Sequence, residues 1–176
     1  MKIKNKGITV TGLMRQSAKY NANRISIVAG DRRLTYAEAW NRGVRLANGF
    51  LSMGLSPGDR VAVLEDNSIE AQDFFLGSAI AGLVRVPLYA RNSVESHAHM
   101  INQTGARAVI VSKKYESELR EAMAVTKTVN HLIVRDEGYE DWLNGFSEVE
   151  SSIRIEPDDW YIIRHTGGTT GKAKGV

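Results

Sequence analysis

The chain has 176 residues, 43% of them hydrophobic and 24% charged, which is the composition of a soluble globular protein with one core and sets disordered and fibrous classes aside. The net charge is +3, but Lys and Arg are scattered rather than gathered into a run that would track a phosphate backbone, so nucleic-acid binding is not expected. Cysteine is absent, which excludes disulfides and thiolate metal sites. No segment approaches the roughly 18 apolar residues of a membrane span, and the first ten residues carry three lysines but no apolar stretch of signal-peptide length. A cytoplasmic protein is the expectation.

In chain order, Ile25 to Ala29 and Arg33 to Leu34 flank Gly30-Asp31, a pattern that predicts a hairpin with glycine in the turn. Thr35-Tyr-Ala-Glu38 has the form of a capping box, and apolar residues at Ala39, Val44, Ala47, Phe50 and Leu51 extend a helix from it until Gly54. From Arg60 onward, short apolar runs alternate with helical segments, the signature of βαβ units on a mainly parallel sheet. The predicted strands are Val61–Leu64, Val84–Leu88, Ala108–Val111, Leu132–Val134 and Trp160–Ile163. The predicted helices span Ile69–Ala81, Val94–Gln103 and Tyr115–Val125, introduced by Asn67, Ser93 and Ser112 as caps. Glu137 to Asp159 is expected to be a surface connection with one short helix near Trp142. Without a repeat or linker to divide it, the chain is expected to be a layered α/β unit, residues 1–176 forming one piece.

Directly after the last strand, Thr166-Gly-Gly-Thr-Thr-Gly-Lys-Ala-Lys-Gly175 concentrates four glycines, three threonines and two lysines. Glycines let successive amides point into one concavity, hydroxyls donate to phosphate oxygens, and lysine adds a mobile charge. A flexible polar surface loop has the same composition; the position, at the carboxyl edge of a parallel sheet, favours a polyphosphate. Neither the Walker A pattern nor the dinucleotide fingerprint fits. Thr166 stands where the first Walker glycine belongs and Ala173 follows Lys172, while Gly167 and Gly168 are adjacent.

The segment His165 to Val176 resembles the signature of the adenylate-forming superfamily, which includes acyl-CoA synthetases, firefly luciferase and nonribosomal peptide adenylation domains. That loop usually reads Tyr-Thr-Ser-Gly-Thr-Thr-Gly-x-Pro-Lys-Gly-Val. Here Thr166, Gly168, Thr169, Thr170, Gly171, Lys174, Gly175 and Val176 match, while His165, Gly167 and Ala173 replace Tyr, Ser and Pro. Leu34 to Glu38, Gly58 to Val63, Ala81 to Leu88 and Pro157 to Asp159 also resemble family segments in the same order.

The resemblance implies an N-terminal part of an AMP-dependent synthetase or ligase, cut off just after the phosphate loop. Its parent would use ATP, Mg2+ and coenzyme A, or a carrier thiol, to activate a small carboxylic acid as an acyl-adenylate with release of pyrophosphate. A homodimer is compatible with it. The residues implied to bind the nucleotide are Thr166, Gly167, Gly168, Thr169, Thr170, Gly171 and Lys174. No metal-ligating residue is implied, the catalytic residues would lie beyond Val176, and the piece alone would be inactive. The reading from another class is a non-catalytic nucleotide-binding or regulatory module.

Two other groups carry two readings. His165 is either a pH-sensitive neighbour of the phosphates or a structural strand-end residue. Glu65 and Asp66 either reach a ligand or cap a helix in solvent. His97 and His99, two apart, fall on different sides of a helix and are not expected to pair on a metal. Trp40, Trp142 and Trp160 are expected to pack in or against the core.

Overall fold

The computed structural model describes residues 8–166 and 173–176. A first helix, α1 (Val10–Tyr20), precedes a hairpin of β1 (Ile25–Ala29) and β2 (Arg32–Thr35), and α2 (Tyr36–Ser52) follows. The capping box is complete: Glu38 N–H donates to Thr35 Oγ1 at 3.2 Å, and Thr35 N–H donates to Glu38 Oε2 at 2.7 Å. Gly30 in the hairpin turn and Gly54 after α2 have φ of 60° and 78°, a region that residues with a Cβ enter only with strain.

The rest is β3 (Arg60–Leu64), α3 (Ile69–Ile80), β4 (Val84–Pro87), α4 (Val94–Thr104), β5 (Ala108–Ser112), a single 3-10 turn over Lys113–Tyr115, α5 (Glu116–Met123), β6 (His131–Arg135) and α6 (Tyr139–Asn144). The four strands are parallel in the order β4-β3-β5-β6. Alternation along them sends side chains to two cores. Val61, Ala108, Ile110 and Ile133 pack with α2, α3 and α6, whereas Ala62, Leu64, Val109 and Val111 pack with α4 and α5. Helices thus cover both faces, and the expected α/β class is correct.

Several local expectations need correction. The expectations leave out α1, whose Val10, Leu13, Met14 and Ala18 recur at helical spacing; it buries only Thr11 and Ala18, and the Thr11 hydroxyl donates to Ala79 O at 2.8 Å. The cap of α3 is Ser68, whose Oγ accepts from Ala71 N–H at 3.0 Å, not Asn67. Ser112 makes no side-chain capping bond. Trp40 and Trp142 do pack against the core, but Trp160 is 74% exposed.

The fifth predicted strand is reduced to one parallel bridge between Ile162 and Arg85. Arg85 N–H donates to Tyr161 O at 3.0 Å and Ile163 N–H donates to Arg85 O at 2.9 Å. The next bond on that side of β4 would have to come from the nitrogen of Pro87, which has no hydrogen. Pairing therefore stops at Ile163, and the chain is free to turn out of the sheet at its carboxyl edge.

Candidate functional site

The segment leaving that edge pairs with itself. Arg164 N–H donates to Val176 O at 3.0 Å, Val176 N–H to Arg164 O at 2.8 Å, and Thr166 N–H to Lys174 O at 2.9 Å, making a short antiparallel stem with His165 opposite Gly175. Gly167, Gly168, Thr169, Thr170 and Gly171, the heart of the predicted phosphate loop, lie outside the described residues, as does Lys172. The two predicted site residues that are described, Thr166 and Lys174, are both exposed. Lys174 N–H is 3.4 Å from Thr166 Oγ1, so the Thr166 hydroxyl lies beside the Lys174 backbone at the mouth of the loop. A threonine hydroxyl can donate to an anion, and a lysine side chain can neutralise one.

Three residues from elsewhere in the fold hold the stem, and the sequence reading identified none of them for this role. Tyr89, just past β4, donates from Oη to His165 O at 3.2 Å. His99 on α4 donates from Nε2 to Ala173 O at 3.0 Å. Gln103, one turn further along α4, offers Oε1 to Gly175 N–H at 3.2 Å and to His165 Nε2 at 3.1 Å. The only trace in sequence is the i, i+4 spacing of His99 and Gln103, which places both on one helix face. A Cβ on Gly175 would sit 2.9 Å from Ile163 Cγ2, so glycine is needed there for close approach.

His165 is 5% exposed, and burial, then the charge of His99, push its pKa below the ordinary imidazole value. It is therefore a structural member of the stem. His97 is fully buried, its Nε2 3.0 Å from Tyr89 O; its Nδ1 lies 3.0 Å from Glu118 Oε1 without hydrogen-bond geometry. It points away from the contact that His99 makes.

Glu65 and Asp66 do not cap α3, whose cap is Ser68; both carboxylates have ion-pair partners. The Glu65 side chain is 3% exposed and pairs with Arg135, whose Nε donates to Oε2 at 2.8 Å. Asp66 accepts from Tyr115 Oη at 2.8 Å and Lys114 Nζ at 3.2 Å, and these bonds lower its pKa. Ion pairs thus stand at the carboxyl ends of the strands near β3 and β5, where the strand order reverses and ligands commonly bind in such sheets. Among the described residues no cluster of three or more His, Asp or Glu side chains is placed to hold a metal ion, and no helix is long and apolar enough to cross a membrane.

The AMP-binding enzyme family matches residues 14–176. The chain belongs to that family. Among its AMP-binding relatives, a long-chain-fatty-acid–CoA ligase of Mycobacterium tuberculosis is 32% identical over 149 residues, covering 83% of this chain and 29% of the ligase. A fatty acid–[acyl-carrier-protein] ligase of Streptomyces coeruleorubidus is 25% identical over 160 residues, covering 90% and 30%. The inhibitor-bound N-terminal domain of FACL13 from Mycobacterium tuberculosis superimposes with a TM-score of 0.88 at 28% identity, covering 97% of this chain and 44% of that one. This AMP-binding chain spans about a third of the length of the curated relatives it matches.

Proposed function

We propose that the chain is the N-terminal part of an ATP-dependent acid–thiol ligase and that the loop between His165 and Gly175 seats the triphosphate of ATP. The observation that carries this reading is the stem: it fixes the Thr166 hydroxyl beside the Lys174 backbone at the carboxyl edge of the sheet, in a chain of the AMP-binding family. Thr166, Gly167, Gly168, Thr169, Thr170, Gly171 and Lys174 are the residues assigned to the β and γ phosphates.

In the reaction, a carboxylate oxygen attacks the α-phosphorus. The bond from that phosphorus to the bridging oxygen breaks, pyrophosphate leaves with the electron pair, and an acyl-adenylate remains. Two anions have to meet, so neutralisation and positioning are the work of the site. Lys174 contributes a full charge toward the leaving pyrophosphate, and Thr166 a donor. Mg2+ accompanies ATP, and no step is assigned to it because the described residues offer no carboxylate cluster to hold it. Coenzyme A or a carrier thiol then takes the acyl group. The same reading places the protein in the cytoplasm.

The test is acid-dependent pyrophosphate release by the whole natural protein, with a panel of fatty and aromatic acids and ATP·Mg2+. Release with at least one acid is expected, and Lys174→Ala is expected to raise the KM for ATP roughly tenfold or more, the effect of losing a hydrogen bond from a charged donor. ATP binding without release for any acid would reject the ligase and leave a nucleotide-binding module.

A further inference from the structure

The hydrogen bonds behind the stem fix more than its position. Gly175 N–H can only donate, so the Gln103 atom facing it at 3.2 Å is the carbonyl oxygen rather than the amide nitrogen. That same oxygen can only accept, so His165 Nε2, 3.1 Å away, carries the ring hydrogen. His165 Nδ1 is then the bare nitrogen, and it is buried without a partner among the described residues. By the same logic the Ala173 carbonyl places the ring hydrogen of His99 on Nε2. Both tautomers follow from partners that have no choice of role.

The two groups that Gln103 receives come from opposite strands of the stem. His165 is the last buried residue on the way into the loop, Gly175 lies on the way out, and the two face each other. A single side-chain oxygen, anchored on α4, therefore ties the two strands together one residue outside Thr166 and Lys174. His99 adds a third point, on the exit strand, one helical turn earlier. Helix α4 is itself fixed, since Met100 and Ile101 are fully buried in the sheet's second core.

We propose that Gln103 is a positioning residue for the glycine-rich loop: by accepting from both strands it sets their separation and holds His165 in one tautomer, so that Thr166 and Lys174 meet a phosphate chain preorganised. The inference rests on the phosphate-binding role given above. Without the oxygen, the buried His165 Nε2 and the exposed Gly175 N–H lose their acceptor, His165 is free to move its hydrogen to Nδ1, and the cost of ordering the loop falls on ligand binding.

The experiment compares the whole natural protein with Gln103→Met, which keeps length and removes the acceptor, and Asn102→Ala. Asn102 is the neighbouring helix residue, which bonds Val125 O and Lys127 N–H and not the stem. Two quantities are read: affinity for ATP and for inorganic tripolyphosphate by calorimetry, and the tautomer of His165 by imidazole 15N shifts, assigned through His165→Tyr. The wild type is expected to show hydrogen on Nε2. Gln103→Met is expected to lose that signature and to bind both ligands roughly five- to tenfold more weakly, the size of one lost hydrogen bond. Asn102→Ala lowers the melting temperature but leaves both readouts unchanged, which separates positioning from general loosening of α4.

Wild-type affinity in Gln103→Met, or hydrogen on Nδ1 of His165 in the wild type, overturns the positioning role. Failure of the wild type to bind either ligand, with the Nε2 signature intact, overturns instead the phosphate-binding reading and the ligand half of this proposal.

Discussion

A buried imidazole that donates from one nitrogen and finds no acceptor for the other responds to acid in one direction. Protonating His165 would bury an unpaired N–H and place a charge near His99, and its pKa in the fold is accordingly lowered by burial and by that neighbour. With a folded pKa below the ordinary value of about 6.5, the unfolded chain takes the proton first. Stability is then complete above that value and declines as pH falls through the window beneath it. The groups around His165 are Gln103, the Tyr89 phenol, which reaches its carbonyl, and His99. Glu70 and Glu140, whose pKa values are lowered, act only at more acid pH. The thermal midpoint should fall between about pH 7.5 and 5.5, and His165→Tyr, which installs the residue common in such loops, should flatten that slope. Equal slopes in the two proteins would sink this assignment. The sequence marks position 165 as a departure from the loop signature, but its role depends on Gln103, 62 residues earlier, and no local pattern joins the two.

Helices α2 and α3 approach closely where each sets a glycine against a leucine of the other. A Cβ on Gly43 would lie 2.5 Å from Leu76 Cβ, and one on Gly77 2.8 Å from Leu46 Cγ. Alanine at position 43 would gain about 1 kcal/mol of helix propensity, but Cβ against Cβ leaves no rotamer to relieve the clash, and forced repacking costs roughly 1–3 kcal/mol. Gly43→Ala is therefore expected to destabilise, read as a lower midpoint in urea; a higher midpoint would mean that the helices are not in contact there. Elements with strong periodic or capping signals were legible: the Thr35–Glu38 box, the alternating strands from Arg60, and the short helix at Trp142. Those made by tertiary contact were not. Helix α1 carries only a short apolar stripe, Val10, Leu13, Met14 and Ala18, of which Val10 and Leu13 stay exposed, and the Thr11 bond to Ala79 ties it down. The Trp160–Ile163 segment has the composition of a strand, yet its length is decided by Pro87 on the neighbouring one.

At the scale of the whole molecule, one polar cluster joins the three helices that cover the first face of the sheet. Arg42 of α2 donates from Nε and Nη2 to the two oxygens of Asp73 on α3, at 2.8 and 2.7 Å. It also donates from Nη1 and Nη2 to Glu140 on α6, at 2.7 and 2.8 Å, and Tyr139 Oη donates to Asp73 at 3.2 Å. Asp73 is 1% exposed. Burial pushes its pKa up against the pull of Arg42, while for Arg42 burial opposes the charge and the bonds to Glu140 and Asp73 outweigh it. The members lie 31 and 98 residues apart, so nothing in the sequence pairs them, although the layered fold that brings them together was legible from its strands. A pair so desolvated adds little over an apolar replacement, yet losing one member leaves a buried charge behind. Arg42→Met alone should thus cost about 3–5 kcal/mol, because it leaves the Asp73 carboxylate, 1% exposed, with the Tyr139 hydroxyl as its remaining partner. The double replacement Arg42→Met with Asp73→Leu should cost much less, because Glu140, the partner it releases, is 43% exposed in its side chain and can be solvated. Guanidinium denaturation of the two variants decides the matter: if the double variant is as unstable as the single one, the cluster stabilises the helix layer through attraction between its charges, and not merely by leaving none of them unpaired.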